Sequence, residues 1–264
     1  MKNEAVIRLG FFFGVLLVMA IWELLWPRRI LTMSKLTRWF SNLGIVVLDN
    51  ALLWLLFPVM AISFALTGQQ NNWGLLNNIQ LPYMFSVGLG VLALDLAIYL
   101  QHVMFHAVPV LWRLHMMHHA DLDFDVTTGL RFHPLEIIIS MLIKLAVVAA
   151  IGPSVTAVLI FEVTLNAAAM FNHSNVKMPF TVDKALRLLV VTPDMHRVHH
   201  SVTIRETNSN FGFSFPWWDR LFGTYRAQPA AGHEEMTIGL SQFRDVKKNN
   251  LLWMLALPFT GKIS

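Results

Sequence analysis

The sequence MFSVGLGVLALDLAIYLQHVMFHAVPVLWRLHMMHH, residues 84–119, joins a long apolar run directly to two clusters of histidines. Its first part, residues 84–100, approaches the length of a membrane span, since about 20 helical residues cross ~30 Å of hydrocarbon. His102 and His106 continue the same predicted helix past its apolar part, and a second cluster follows Pro109. The stretch therefore predicts a membrane helix that carries polar, metal-binding side chains at one end.

The rest of the sequence has the composition of a membrane protein. Of its 264 residues, 55% are hydrophobic and only 14% are charged, whereas soluble domains carry about 25% charged residues. Further long apolar runs occur at residues 9–26, 44–66 and 137–169. The last run is too long for one span and is divided by Gly152-Pro153, which predicts a tight helical hairpin. We therefore expect an all-α integral membrane protein with four to five hydrophobic passes.

The distribution of basic residues orients these passes. The first connection contains the four basic residues Arg28, Arg29, Lys35 and Arg38, and the segment 67–83 contains no charge. The positive-inside rule places the first connection in the cytoplasm. Every histidine cluster then emerges on the cytoplasmic side, where we expect a helical, histidine-rich catalytic cap. We expect the cell inner membrane or its equivalent. Basic residues beside anionic headgroups account for the pI of 9.6 without a nucleic acid partner.

The chain is expected to have three parts. Residues 1–82 form a membrane anchor of two spans, residues 83–225 form the catalytic domain, and residues 226–264 form a polar tail. The tail ends in a short apolar segment, residues 251–259, which is expected to lie on the bilayer or to pack back on the protein. Residues 210–215 alternate aromatic and small side chains and fit either a strand or a loop. Trp217 and Trp218 suit the membrane interface.

Ten of the eleven histidines lie between His102 and His200, in a pattern that favours a metal centre. The pattern H-x-x-H-H occurs at residues 115–119 and again at residues 196–200. Adjacent helical residues point about 100° apart, so the two histidines of each doublet can serve different ions. Neutral imidazole binds iron, zinc, copper and nickel, and the chain has no competing cysteine. Since one tetrahedral ion needs only four ligands, the sequence predicts a two-metal centre.

We expect no catalytic side chain beyond the metal ligands themselves. The candidate ligands are His102, His106, His115, His118, His119, His133, His173, His196, His199 and His200. His173 follows the hairpin at the depth of the clusters, which favours a ligand role. His133 opens the hairpin before Pro134 and is either a ligand or a residue that holds the first turn. His233 stands alone and is expected to be either a hydrogen-bonded core residue or a solvated loop residue.

Polar residues near the clusters are candidates for a supporting role, because ligating histidines usually donate their second N–H to a carboxylate or carbonyl. These candidates are Asp95, Asp121, Asp125, Glu136, Asn172 and Asp194. Glu162 lies inside the hairpin, and an acid at membrane depth is either functional or a protonated, hydrogen-bonded carboxyl.

Seven motifs between residues 94 and 225 resemble one known family. They are His102-x-x-x-His106, Leu111-Trp-Arg-x-His-x-x-His-His119, Arg131-x-His-Pro-x-Glu136, Asn172-His-Ser-Asn175, Thr192-Pro-x-x-His-Arg-x-His-His-Ser201, Asn210-Phe-Gly212 and Trp218-Asp-Arg-Leu-Phe-Gly-Thr-Tyr225. With their spacing, they resemble the fatty acid hydroxylase/sterol desaturase superfamily, and the histidine pattern shows no departure from it.

The resemblance implies a fold, a cofactor and a reaction. It implies an integral membrane oxygenase with two non-haem iron ions (Fe²⁺) in an all-histidine site on the cytoplasmic side, where zinc is a possible substitute. The implied reaction hydroxylates or desaturates a lipid or sterol-like substrate with O₂. The implied electron source is a separate protein, a ferredoxin or a cytochrome b5 with its reductase, since the chain shows no haem or flavin domain of its own.

Three other functions fit parts of the pattern. A dinuclear zinc hydrolase would act on a lipid ester or phosphate, but such sites generally include bridging carboxylates, and none lies inside these clusters. A non-enzymatic metal store or transporter would place its ligands along several spans near the midplane rather than at one end. A haem held by two histidines would leave most of the histidines unexplained.

Overall fold

The computed structural model describes residues 4–57 and 59–260, and this part of the chain is helical. Its long helices are α1 (Glu4–Leu25), α2 (Lys35–Leu56), α3 (Ala61–Gln70), α4 (Tyr83–Ala107), α5 (Pro109–His119), α6 (Pro134–Ile151) and α7 (Val155–Asn172). Shorter helices follow: α8 (Phe180–Leu186), α9 (Pro193–His199), α10 (Ile204–Thr207), α11 (Trp217–Leu221), α12 (Gly232–Glu235) and α13 (Leu251–Ala256). Short 3₁₀ turns lie at Leu75–Asn77, Thr128–Leu130, Val246–Lys248 and Leu257–Phe259.

The all-α prediction is confirmed. Within the described ranges, the strand-type pairing consists of two isolated bridges, Pro27 with Val176 and Ser201 with Ile238. Residues 210–215 form a loop rather than a strand.

In the described part of the chain, five segments are long and apolar enough to cross a membrane, which agrees with the predicted four to five passes. They are Glu4–Leu25, Lys35–Asn77, Tyr83–Ala107, Pro134–Ile151 and Val155–Asn172. Large apolar side chains such as Leu17, Trp54 and Leu142 are exposed on the outside of the bundle, as expected where a helix faces lipid. The protein is an integral membrane protein.

The second predicted span had the wrong bounds. We expected one helix over residues 44–66, but α2 begins at Lys35, ends at Leu56 and is followed by a separate helix, α3. Phe57 has φ −118° and ψ 91°, and a proline follows it in the sequence. Steric clash with the proline ring disfavours helical backbone angles for the residue before it, and the helix therefore ends here. The hydrophobic run continues across this break, so hydropathy alone does not detect it.

The predicted hairpin forms from α6 and α7, each of 18 residues, or about 27 Å at 1.5 Å per residue. Gly152 ends α6 with φ +67°, and a Cβ there would lie 2.4 Å from the carbonyl oxygen of Trp73. Glycine is therefore required both by the backbone conformation and by this close approach. Ser154 then caps α7 by accepting the N–H of Ala157.

Helix packing brings the histidine-bearing ends together. α4 packs against α5, α6 and α7, and α1 packs against α7. The buried side chains of Leu94, Val148, Val158 and Phe161 form the core between these helices. Because α4 and α7 run antiparallel to α6, the ends of the first two meet the start of the third. The C-terminal apolar segment packs back on the protein, with Met254 buried against Ile45.

Candidate metal centre

Nine of the ten candidate ligands form two separate groups. In each group, one ring nitrogen per histidine lies within 4.8 Å of all the others. The first group is His102, His106, His115, His119 and His199, and the second is His118, His173, His196 and His200. All are buried except His106, which is partly exposed.

Helical geometry explains how the doublets divide. His115 and His119 are four residues apart on α5, so they share a face and both belong to the first group. His118 is turned about 100° from His119 and belongs to the second group. At α9 the same division places His199 in the first group and His200 in the second. Each H-x-x-H-H motif therefore contributes to both groups, as the sequence predicted.

The imidazole nitrogens converge closely enough to share one ion per group. In the first group, Nε2 of His102 is 3.1 Å from Nε2 of His115, and Nε2 of His106 is 3.1 Å from that of His119. In the second group, Nε2 of His173 is 3.1 Å from that of His118 and 3.0 Å from that of His196. Two nitrogens bound ~2.1 Å from one ion are ~3 Å apart when their bonds meet near a right angle, so these spacings fit coordination.

The histidines outside the spans are neutral. Burial lowers the pKa of His115 to about 3 and, as the largest effect, also that of His173 to about 3. Burial, followed by the charges of neighbouring histidines, lowers the pKa of the remaining five well below its usual value: His118, His119, His196, His199 and His200. Neutral imidazole is the form that binds metal, so no proton competes with an ion at neutral pH.

Hydrogen bonds at Nδ1 orient five of the histidine rings. Nδ1 of His115 donates to Oε1 of Glu136 at 2.7 Å, and Nδ1 of His106 lies 3.2 Å from Oδ1 of Asn208. Nδ1 of His102, His173 and His199 donates at 2.8 Å to the backbone carbonyls of Phe211, Ala169 and Ser209, respectively. Because a carbonyl only accepts, these tautomers leave the Nε2 lone pair free for a metal.

Several buried ring nitrogens have no hydrogen-bond partner in the described part of the chain. Within the two groups they are Nε2 of His199, both nitrogens of His200, and Nδ1 of His118 and His196. A buried polar atom without a partner is costly, and a metal ion would satisfy the nitrogens that face each group. The donor set, its neutrality and these unpaired atoms together fit a two-metal centre.

One of the six predicted supporting residues, Glu136, is hydrogen-bonded to a candidate ligand, His115. Asp95 accepts from Nε1 of Trp218, and Asn172 donates to the carbonyl of Phe213. The other three pair with arginines: Asp121 and Asp125 with Arg38, and Asp194 with Arg28 and Arg197. The sequence did not predict the four residues that orient His102, His106, His173 and His199. Three of them act through backbone carbonyls, and a carbonyl leaves no signal in the side-chain pattern.

His133 does not join either group. It precedes α6, where Nδ1 accepts the N–H of Leu135 at 3.2 Å and Nε2 lies 3.3 Å from the carbonyl oxygen of Leu255. Both ring nitrogens are thus used by the protein, which agrees with the alternative that His133 holds the first turn of the hairpin. The expectation for His233 was wrong: it is buried, and neither of its ring nitrogens has a hydrogen-bond partner in the described part of the chain, although Nε2 lies 3.7 Å from Oδ2 of Asp194.

Glu162 is an ion-paired residue away from the metal groups. Its Oε1 lies 3.0 Å from Nζ of Lys144, and its Oε2 lies 3.4 Å from Nη1 of Arg8. It therefore links the hairpin to α1 through two ion pairs.

Aromatic rings enclose the two groups. Phe211 lies 5.1 Å from His106 and 5.4 Å from His102, between ring centroids, and Phe132 stacks on His118 at 4.6 Å. Phe124 lies 5.0 Å from His200. These rings keep bulk water away from the imidazoles, and a dry environment strengthens electrostatic interactions within the centre.

The end of α1 and the start of α2 hold the loops that carry the second group. Oε1 of Glu23 accepts the N–H of Val126 at 2.6 Å and that of Asn175 at 2.8 Å. Arg38 is fully buried and binds both oxygens of Asp121 at 3.0 and 2.7 Å. Asn175 follows His173 closely, and Asp121 follows the first doublet. The two predicted anchor spans thus contribute to positioning the centre as well as to membrane attachment.

Comparisons with known proteins agree with this geometry. The model of the fatty acid hydroxylase family matches residues 87–224. Ornithine lipid hydroxylase OlsE of Rhizobium tropici is 30% identical over 183 residues, 69% of this chain and 53% of that protein. Human alkylglycerol monooxygenase is 30% identical over 162 residues, 60% of this chain and 33% of that protein. The alkylglycerol monooxygenase of Xenopus tropicalis is 29% identical over 160 residues.

The chain thus spans about half the length of the first relative and about a third of the second. No solved structure matches.

Proposed function

The chain belongs to the fatty acid hydroxylase family, and we propose that it is a membrane-bound, non-haem di-iron oxygenase that hydroxylates an unactivated C–H bond of a lipid. The observation that carries the proposal is the pair of all-histidine groups, with ligand atoms within 4.8 Å of one another in each. The names of the relatives, a lipid hydroxylase and alkylglycerol monooxygenases, support hydroxylation over desaturation.

In this proposal each group holds one ferrous ion. The first ion is bound by histidines of the first group, and the second by His118, His173, His196 and His200. Bound iron would supply electrons and open coordination positions for the activation of O₂. Iron is preferred to zinc because zinc has no accessible second oxidation state. His133 is left out of the ligand set, because both of its nitrogens are used by the protein.

The chain's own residues prepare the site for this chemistry. Glu136 and the carbonyls of Phe211 and Ser209 fix the tautomers of three ligands, so that their lone pairs face inward. The surrounding phenylalanine rings exclude water, which protects a reactive site from side reactions. His106 is partly exposed, so we place the opening of the centre on its side.

The overall reaction inserts one oxygen atom of O₂ into the C–H bond and reduces the other to water with two electrons from the donor and two protons from solvent. We propose that a separate donor, a ferredoxin or a cytochrome b5 with its reductase, supplies these electrons. We also propose that the centre lies on the cytoplasmic side, because the connection between α1 and α2, at the histidine end of the bundle, is rich in basic residues and the segment 67–83 is uncharged.

Two alternative functions are less well supported. A dinuclear zinc hydrolase generally uses bridging carboxylates, and neither histidine group found in the described residues includes one. A metal transporter needs ligands near the midplane, whereas the ligands of both groups gather at the ends of α4, α5 and α9 and just after α7.

The experiment that tests the proposal is anaerobic reconstitution of the purified protein with Fe²⁺, followed by a single exposure to O₂ with lipid extract present. We expect close to two iron ions per chain, O₂ consumption and a hydroxylated lipid. Protein loaded with zinc serves as the control and should consume no O₂. Hydrolysis of a lipid ester by the zinc form, without O₂ use by the iron form, would contradict the proposal.

A further inference from the structure

A set of exposed apolar side chains lies on the part of the protein that follows the hairpin. They come from α8, the turn after it, and α11, and they are between 38% and 69% exposed. We name this set the interfacial face, and it consists of Phe180, Leu188, Leu189, Trp217, Leu221 and Phe222. A group of exposed large apolar side chains outside the spans marks an interaction site.

Direct contacts make the interfacial face continuous. Nε1 of Trp217 donates to the carbonyl of Leu188 at 2.7 Å, and Nη2 of Arg220 donates to the carbonyl of Arg187 at 3.2 Å. These two bonds join α11 to the end of α8, so that residues far apart in sequence present one surface.

The position of the interfacial face matches the depth of the membrane boundary. Just before α8, the N–H of Lys177 donates to the carbonyl of Trp26, at the end of α1. At the other edge, Phe222 stacks on Tyr99 of α4, with 5.4 Å between the ring centroids. The face therefore extends from the end of α1 to α4, at the end of the bundle where the histidine groups lie. The headgroup region of the bilayer would lie at this depth.

The exposed charge of the same segments is positive. Lys177, Lys184 and Arg220 are exposed. The acids nearest to them are buried and satisfied: Asp183 pairs with Arg187 at 2.7 Å, and Asp219 accepts the N–H groups of Phe211 and Gly212. An apolar surface with an exposed basic rim is complementary to an anionic lipid surface.

From these observations we propose that the interfacial face docks on the anionic lipid surface of the membrane that α1 and α4 cross. Its apolar side chains enter the headgroup region, and Lys177, Lys184 and Arg220 contact lipid phosphates. A second copy of the chain is a poorer occupant. Symmetric packing on this face would bring the same basic residues of both copies together, and their like charges would repel.

The sequence permits a clean test, because it contains no cysteine. Leu189→Cys in the full chain, labelled with an NBD fluorophore, reports the environment of the interfacial face alone. The protein is reconstituted into nanodiscs of phosphatidylcholine with lipids that carry a doxyl quencher, with or without phosphatidylglycerol. The matched control is Ser241→Cys, at an exposed polar residue outside the face. Retained metal content shows that each variant is folded.

We expect blue-shifted NBD emission and strong doxyl quenching at position 189, with a depth of about 5–10 Å below the headgroup boundary, as for interfacial helices. Position 241 should show aqueous emission and weak quenching. Phosphatidylglycerol should increase quenching at position 189, and Lys177→Glu with Lys184→Glu should remove that increase.

Three results would contradict the proposal. Aqueous emission at position 189 equal to that at position 241 would show that the face stays in water. Blue-shifted emission without doxyl quenching would show that protein, such as a second copy, covers the face instead of lipid. Quenching that phosphatidylglycerol leaves unchanged would refute the role assigned to the basic residues.

Discussion

Replacement of Arg38 with methionine should destabilise the protein and its second metal group together. Arg38 is fully buried, and its guanidinium binds Asp121 through two bonds, Thr128 at 3.0 Å, and Asp125. Methionine fills a similar volume but leaves two buried carboxylates without their main partner. Breaking a buried ion pair by removing one member costs about 3–5 kcal/mol.

The pKa of Asp121 shows that its ionised form is stabilised in the folded protein. Burial alone would raise this pKa, but the charges of Arg38 and Arg131 lower it to about 2, from an ordinary value of 3.8. At 1.36 kcal/mol per pKa unit, the net shift corresponds to about 2 kcal/mol, which is what the two arginines together contribute beyond the cost of burial. Because the folded pKa is depressed, this stabilisation is complete above about pH 4 and is lost as the pH falls through 2.

The assay is thermal unfolding in detergent, with metal analysis of the same samples. At about 2–4 °C per kcal/mol for a chain of this size, the Tm of Arg38→Met should fall by at least ~6 °C. Wild-type Asp121 stays ionised at pH 7 and pH 5, whereas in Arg38→Met the burial of its carboxyl raises the pKa, so the fall should be no larger at pH 5 than at pH 7. Bound metal should also fall, because the loop after α5 carries Phe124, which packs on His173 and His200.

Two variants serve as controls for this experiment. Arg38→Lys keeps the charge but cannot make the two-bond contact, so its Tm should lie between those of wild type and Arg38→Met. Arg205→Met changes an exposed arginine of the same type and should leave Tm and metal content unchanged. If Arg38→Met unfolds within ~2 °C of wild type, the buried pair does not stabilise the loop and the reasoning is wrong.

Three further predictions concern the centre and its orientation. Glu136→Gln weakens the 2.7 Å bond to Nδ1 of His115 and should lower metal affinity about 10- to 100-fold in chelator competition; unchanged affinity would show that this bond does not tune the ligand. His133→Gln should retain bound metal while His200→Gln loses the second ion, as measured by metal analysis; equal loss in both would make His133 a ligand. A reporter fused after Gln228 should report cytoplasm and one within residues 68–78 the exterior, and two reporters on one side would refute the topology.

Local patterns were sufficient to predict much of the fold and of the centre. The hydrophobic runs and the hairpin at Gly152 were predicted because span length and glycine conformation are properties of a short stretch of chain. The division of His118 from His119 and of His199 from His200 was also predicted, because it depends only on the angle between adjacent helical residues.

Only the tertiary structure decided which side chains act on the centre from a distance. The exclusion of His133 depends on Leu255 of the C-terminal segment, and the tautomers of His102 and His199 depend on backbone carbonyls of the loop before α11. Asp121 was expected beside a histidine but pairs with Arg38 of the second helix. These contacts join residues that are distant along the chain, and no local period or motif records such pairings. The sequence alone therefore determined which residues could bind metal, while long-range packing determined what orients and supports them.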